Sequence, residues 1–549
     1  MEVLVIRLRR AMRLYRVFVT ILVAVVTGLV FLPVTRNALV EWDDIVYFEH
    51  VRTLETWSVA ISAAVTTLTP FYYHPLTWLS HWIEWQWWGD RWAAHHGMSL
   101  LLHALNAGLV TLLAWELFRI AAPKWNDTTR GWAAGVAGLL FGVHPLQVES
   151  VAWLAGRKNL LCGLFCLAAI WVYIRLAPQG RRRWWAPVIL LHLLALASKP
   201  MAVPLPVVLW FLDFYPLQRH REMAVWRLAW EKWPLLVLSA ASAGLTAIGQ
   251  LDWGAVMPVE TLGLWQRVLV ACRGLVFGLW KLCWPAWLSP LYPLGGKLTL
   301  ANPDFSVSVV VLIALSAAVL VGGMRGVHAP AVALLSYMVF YLPTSGLMQV
   351  GAQAAADRFY YIAVLGPMLL CVGSVVAWLC DRAKPVRVAA AAAAVLVFTG
   401  LVVRTRQQIP IWHDAITLWT HVLRFYPNSA PTQFRLARAL VDAGRFTEAL
   451  PLATRAAKVI TDDAEVRSLA GSLLRQAGDW EAARVELRAA LALDPSLPAA
   501  RFNLAAVEAR RGNVAEAARH VRLLVQQHPG FVPLIASDPR LATLLPSSE

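Results

Sequence analysis

A chain of 549 residues that is 58% hydrophobic and 15% charged, with 28 tryptophans and a mean hydropathy of +0.56, cannot be covered with polar surface as a soluble globule. The balance predicts a polytopic membrane protein. The formal charge of +16 sits in short loops between apolar runs, where the bias of Lys and Arg toward cytoplasmic loops accounts for it, so no nucleic-acid partner is read.

The first apolar run, 17–34, is preceded by Arg7, Arg9, Arg10, Arg13 and Arg16 and followed by no small-residue cleavage pattern. It predicts a retained first helix with its N-terminus inside, which puts "EWDDIVYFEH" (41–50) outside. Further apolar runs lie near 97–120, 131–152, 159–177, 184–198, 203–215, 233–250, 305–324, 330–348, 359–380 and 387–404. Judged against the roughly 20 apolar residues that cross a bilayer, they predict about 11–13 spans. The basic loops "APKWNDTTR", "QGRRR", "QRHRE", "GGMRGVH" and "DRAKPVR" fall inside; 35–95, 149–157 and 349–358 fall outside. The runs 184–198 and 203–215 are joined by "KPMAVP", whose prolines predict broken helices.

Segment 264–284, "LWQRVLVACRGLVFGLWKLCW", carries Arg267, Arg273 and Lys281. A single crossing there would invert every later loop, so it reads as an interfacial or re-entrant amphipathic helix. Asp213 in "FLDFYPLQRHRE" is expected to pair with a nearby base. The alanine tract 389–394 is expected to be a surface for close helix packing. The six cysteines, all in apolar segments, show neither metal-ligand nor secreted-domain spacing and read as packing residues.

Near residue 405 the apolar runs end and a charge-laced helical region begins. Gly444, Gly478 and Gly512 recur every 34 residues, Pro427, Pro495 and Pro529 fit the same period, and Ala449, Ala483 and Ala517 share one small-residue position. This is the tetratricopeptide (TPR) pattern, in which each helix pair must stack on its neighbours to bury its apolar face. The predicted organisation is a membrane domain at 1–405 and a TPR α-solenoid at 411–531. The latter comprises a half unit and three full repeats over about 430–531, with a tail at 532–549.

The acids of "EWDD" alone would read as a solvated outer loop. Three other ionisable clusters share the predicted outer face: His74 in "YYHPLTWLSHW"; His144, Glu149, Arg157 and Lys158 in "HPLQVESVAWLAGRKNLL"; Asp357 and Arg358 in "QVGAQAAADRFYY". Ionisable groups at membrane depth are costly and by default functional. They sit at span ends rather than mid-span and the membrane half shows no duplication, which disfavours a transporter. A TPR-bearing membrane scaffold for envelope protein assembly, without catalysis, is the alternative reading. The Trp-rich "WIEWQWWGDRW" reads as an interfacial aromatic belt.

The stretches "EWDDIVYF", "HPLTWLSHWIEWQWWG", "HHGMSLLLHALNAGL", "LLFGVHPLQVESVAWLAGRKNLL", "LLALASKPMAVPLPVVLWFLDFYPL", "GLMQVGAQAAADRFYYI" and the repeats resemble, over nearly the whole chain, the bacterial homologues of the transmembrane-and-TPR O-mannosyltransferases. The resemblance implies an all-α chain with a GT-C membrane domain in a bacterial inner membrane. It also implies a polyprenyl-phosphate sugar donor, mannose in the animal relatives, and a protein Ser/Thr acceptor presented by TPR repeats outside the cytoplasm. One departure is Phe359, where typical members carry Tyr after Asp-Arg.

For such chemistry a carboxylate near the anomeric carbon would deprotonate the acceptor, and Asp43 or Asp44 is the candidate base, the resemblance favouring the first. Inversion needs one such base and no covalent intermediate. Arg157, Lys158 and Arg358 are candidates for the leaving phosphate, the alternative being snorkelling or ion pairs with Glu149 or Asp357. Glu149 is a candidate for orienting sugar or acceptor. His144 lies about 140° from Glu149 on a regular helix; it and His74 read as readily as packed residues. The Asp43–Asp44 pair admits a divalent metal, but neighbours on an extended chain point opposite ways, so no cofactor is assigned.

Overall fold

The computed structural model describes residues 2–66, 73–252, 254–351 and 353–545; part of the predicted outer loop 35–95 (67–72), one residue of 349–358 and the end of the tail (546–549) lie outside the described residues. The chain forms two compact units, Met1–Asp414 and Ala415–Glu549. The first runs past the expected 405 because a single helical turn, Ile409–Trp412, continues the last long helix.

The first unit is helical: α1 (Glu2–Phe31), α2 (Asp43–Arg52), α3 (Trp57–Thr66), α4 (Pro75–Trp88), α5 (Trp92–Ala121), α6 (Asp127–Gly142), α7 (Val148–Ala152), α8 (Arg157–Leu176), α9 (Arg181–Ser198), α10 (Leu205–Phe214), α11 (Val225–Trp230), α12 (Trp233–Asp252), α13 (Leu264–Cys283), α14 (Pro303–Met324), α15 (Ala329–Tyr341), α16 (Leu365–Cys380) and α17 (Lys384–Gln408). Among the described residues, six helical stretches are long and apolar enough to cross a membrane: Ala11–Arg36, Trp92–Ala121, Leu154–Gln179, Trp233–Asp252, Pro303–Met324 and Lys384–Trp412. Shorter apolar helices of 10–17 residues stand at several other expected spans. The run 131–152 is not one helix. Helix α6 stops at Gly142, and His144–Pro145 turns the chain into short helical pieces as far as Gly156. At "KPMAVP" the chain likewise breaks between α9 and α10.

Helix α13 is tied to neighbouring segments at both ends. At its start Arg267 donates to the carbonyls of Leu262 (2.9 Å) and Leu347 (3.2 Å). At its end the Leu282 carbonyl meets His144 Nε2 at 3.0 Å, and Lys281 donates to the Ala286 carbonyl at 2.6 Å. Gly274 and Gly278 form its small face, against which Tyr341 and Tyr360 stack at 5.2 Å with an interplanar angle of 4°.

The only sheet among the described residues is one two-stranded antiparallel pair, Tyr292–Pro293 with Gln353–Ala355, too short for the sequence to show. Asp213 finds the expected base twice over, in Arg219 at 3.0 Å and in Lys232, and accepts from the Tyr173 hydroxyl at 2.6 Å. The alanine tract corrects an expectation: 389–394 is mostly exposed on α17, whose apolar window is only 6% buried, so it is not a close-packing surface among the described residues of this chain. Cys162 and Cys166 are buried as expected of packing residues, whereas Cys283, Cys371 and Cys380 are exposed.

The second unit opens with α18 (Ala415–Phe425) and continues in three antiparallel pairs: α19 (Ala430–Asp442) with α20 (Phe446–Val459), α21 (Ala464–Gln476) with α22 (Trp480–Leu493), and α23 (Pro498–Arg510) with α24 (Val514–Gln527). Two short helices, α25 (Val532–Ser537) and α26 (Pro539–Ala542), follow. Each pair turns at the periodic glycine; Gly444, Gly478 and Gly512 take φ of 73°, 86° and 84°, which a side chain would disfavour. The periodic alanines, Ala449, Ala483 and Ala517, are fully buried at the same place in each second helix.

Candidate functional site

Asp43 and Asp44 start α2, and they have different surroundings. Asp44 is buried; one oxygen accepts from the Ala155 N–H at 2.8 Å and the other from the Val40 N–H at 3.1 Å. It ties α2 to the 154–156 turn, and burial pushes its carboxyl up to about 7. Asp43 keeps its side chain 23% exposed and meets the Lys158 ammonium at 3.3 Å. The two are consecutive residues in a first helical turn, not on the extended chain expected, and they diverge all the same. With both Asp44 oxygens committed to backbone, the pair does not fit a metal, and no three His, Cys, Asp or Glu among the described residues converge as ligands.

Lys158 is buried at the start of α8, its ammonium 5.3 Å from the Trp153 ring and 5.5 Å from the Tyr47 ring. Trp153 stacks on Trp42 at 5.0 Å and on Trp412 at 6.0 Å. The Arg358 guanidinium lies over Trp42 (5.4 Å) and Trp153 (5.1 Å), a desolvated cation–π arrangement. Arg358 also holds Glu149: its guanidinium contacts one carboxylate oxygen and its backbone N–H donates to the other at 2.8 Å. Its second terminal nitrogen donates to Gln353 Oε1 at 3.1 Å. Thus the short strand and the turn at Asp357–Tyr360 fix Arg358 against the 149–156 turn. Asp357 is buried and accepts from the Tyr292 hydroxyl at 2.9 Å; burial, then the neighbouring Glu149, hold its carboxyl well above the usual range.

Arg157 stands elsewhere. Fully buried, it pairs with Glu84 and donates to the His95 carbonyl at 2.7 Å and the Ser99 hydroxyl at 3.3 Å. Glu84 in turn meets His95 Nδ1 at 3.0 Å. The Trp-rich stretch therefore splits, with Trp82 and Glu84 turned into the fold and Trp87 outward. His144 accepts from the Leu146 N–H at 3.2 Å and meets the Leu282 carbonyl; burial pushes its imidazole down to about 4. It shares no partner with Glu149. His74 meets the Tyr47 hydroxyl at 2.5 Å and stacks on Trp78.

Two features escaped the sequence reading. Lys199, between α9 and α10, reaches Asn159 Oδ1 at 2.6 Å and is within electrostatic range of Lys158, Arg358 and Glu149. An apolar cavity of about 320 Å³ runs along α16 from Leu365 to Ala377, lined also by Phe118, Leu212 and Phe340.

A TPR-repeat family matches residues 471–512. Human protein O-mannosyl-transferase TMTC1 is 24% identical over 430 residues, which cover 70% of this chain and 47% of that protein. The chain is homologous to the TMTC protein O-mannosyl-transferases. Xenopus laevis tmtc2 is 34% identical over 104 residues, 19% of this chain and 11% of that protein. This chain thus spans about half the length of the TMTC1 relative it matches most extensively here. A solved structure of MamA, 23% identical, covers 24% of this chain and 69% of its own with a TM-score of 0.22.

Proposed function

We propose that the chain is a GT-C membrane glycosyltransferase. It moves a sugar, mannose by kinship with the TMTC proteins, from a polyprenyl-phosphate donor to a protein Ser or Thr hydroxyl on the non-cytoplasmic face of a bacterial inner membrane, and its TPR unit presents the acceptor. One observation carries the reading: of the two acids that open α2, one is consumed by backbone while the other, Asp43, stays partly exposed beside a buried cation.

Asp43 removes the acceptor proton as the hydroxyl oxygen attacks the anomeric carbon from the face opposite the phosphate. The bond from that carbon to the phosphate oxygen breaks, the phosphate keeps the electron pair, and the sugar inverts. Lys158 keeps Asp43 oriented, and the positive charge of Lys158, Lys199 and Arg358 stabilises the departing phosphate. The apolar cavity beneath Leu365, seven residues after Arg358, supports a lipid-linked donor, since an isoprenoid chain needs an apolar bed.

The test is the full chain in lipid vesicles, given polyprenyl-phosphate mannose and a Ser/Thr peptide, with mass spectrometry of the peptide. Gain of one hexose is expected. A peptide that stays unmodified under every donor sugar tried would instead favour a TPR scaffold.

A further inference from the structure

Lys199 sits directly before Pro200, and the residue before a proline favours extended backbone. Its φ of −165° and ψ of 137° end α9 and direct the side chain inward, where Lys199 is 4% exposed. Three other buried cations each have a carboxylate: Lys158 has Asp43, Arg358 has Glu149 and Arg157 has Glu84. Among the described residues Lys199 forms no ion pair. Its ammonium has a neutral amide oxygen instead, with Lys158 and Arg358 pressing on it as like charges ahead of the weaker pull of Glu149, which is itself paired with Arg358. A buried ammonium without a counter-charge is expensive unless an anion joins it.

The amide beside it also has a donor left over. Asn159 Oδ1 is taken by Lys199, which fixes the orientation of the amide, because the reverse would set its NH2 against an ammonium. Asn159 Nδ2 is buried and has no acceptor, and neither do the Ser150 hydroxyl and the Trp153 indole N–H a few residues upstream. Asn159 lies in the first turn of α8, a helix of 20 residues whose dipole is positive at that end. Unmatched donors and unmatched positive charge together call for an anion with several acceptor oxygens.

We infer that Lys199 and Asn159 hold the phosphate of a lipid phosphate at the start of α8. The inference rests on the donor reading above and makes Lys199, of the three cations named there, the one that holds the phosphate. A phosphate here supplies the charge that Lys199 lacks and accepts from Asn159 Nδ2. It leaves the Asp43–Lys158 and Glu149–Arg358 pairs intact, so binding breaks no buried ion pair.

The experiment measures binding of farnesyl phosphate, inorganic phosphate and farnesol to the full-length chain in detergent by calorimetry. Wild type should bind farnesyl phosphate more tightly than either other probe, and Lys199→Gln should weaken it about 10–100-fold, the value of a charge-assisted contact. Asn159→Asp guards against simple misfolding. Its carboxylate pairs with Lys199 inside the fold, so the thermal midpoint should hold while farnesyl phosphate binding falls by a similar factor. Farnesol binding should be the same in all three proteins. Farnesyl phosphate binding as tight in both variants as in wild type overturns this inference alone. Wild type that binds no farnesyl phosphate overturns the lipid-phosphate donor reading itself. Inorganic phosphate binding as tightly as farnesyl phosphate, and depending on Lys199, overturns the lipid as its source.

Discussion

Replacing Arg358 by Ala should damage the fold before it reveals anything about a donor. Glu149 is 2% exposed and its carboxylate is held by the Arg358 guanidinium and by the Arg358 backbone N–H. Truncation leaves that carboxylate buried with a single donor, a loss of about 3–5 kcal/mol. Removing the guanidinium from over Trp42 and Trp153 adds roughly 1–2 kcal/mol. Glu149→Gln alone should cost about 3–5 kcal/mol for the mirror-image reason. Arg358→Met with Glu149→Gln removes both charges and fills the space, so the double variant should lie well below the sum of the singles, with a coupling of about 2–3 kcal/mol. Arg358→Lys, which keeps the charge but not the fork, should fall between Ala and wild type. The assay is unfolding in detergent followed by tryptophan fluorescence, to which Trp42, Trp153 and Trp412 report directly. Additive single and double losses would refute the pairing as the source of the cost.

Three further outcomes follow from particular contacts. Burial raises the Asp44 carboxyl from an ordinary 3.8 to about 7, so between those values the folded chain holds a proton that the unfolded chain has released. The Asp44 contribution is therefore most favourable below about pH 4, is lost as pH rises toward 7 and is flat beyond. Asp44→Asn should remove that slope, amounting to a few kcal/mol, from the pH dependence of unfolding. Gly278→Ala would bring a methyl within 2.2 Å of the Tyr360 ring; the overpacking should cost about 1–3 kcal/mol and lower transfer, since Tyr360 is two residues from Arg358. Arg157→Met should destabilise the first unit by about 3–5 kcal/mol through Glu84, yet leave farnesyl phosphate affinity of the folded protein unchanged in calorimetry.

The solenoid was legible because its period is written in residues with one physical use each. The glycines turn in left-handed backbone and the alanines leave room where helices touch. Segment 264–284 stands apart from the other apolar runs by its charges. Their actual use, capping loop carbonyls at both ends of α13, depends on chain segments 80 residues away in the case of Leu347. The partnership of Arg157 was not readable, because 84 and 157 meet only in three dimensions and Glu84 was absorbed into an aromatic belt. A lone acid in "WIEWQWW" was the available signal, since a charge among indoles needs a partner. Lys199 was passed over in "SKP" for the helix break its proline causes, although a lysine between two apolar runs carried the same warning. The alanine tract misled because small residues serve close helix packing only where a second helix is present.

The central claim is that Asp43 is the base and Asp44 its structural neighbour. Initial rates of mannose transfer from a polyprenyl-phosphate donor to a Ser/Thr peptide, measured for purified and folded wild type, Asp43→Asn and Asp44→Asn, test it most directly. Asp43→Asn keeps the side chain's size and loses its basicity, so its rate should fall by at least about 10²-fold with farnesyl phosphate binding retained. Asp44→Asn should keep the rate within a few-fold once folded. Transfer by Asp43→Asn at the wild-type rate would contradict the account.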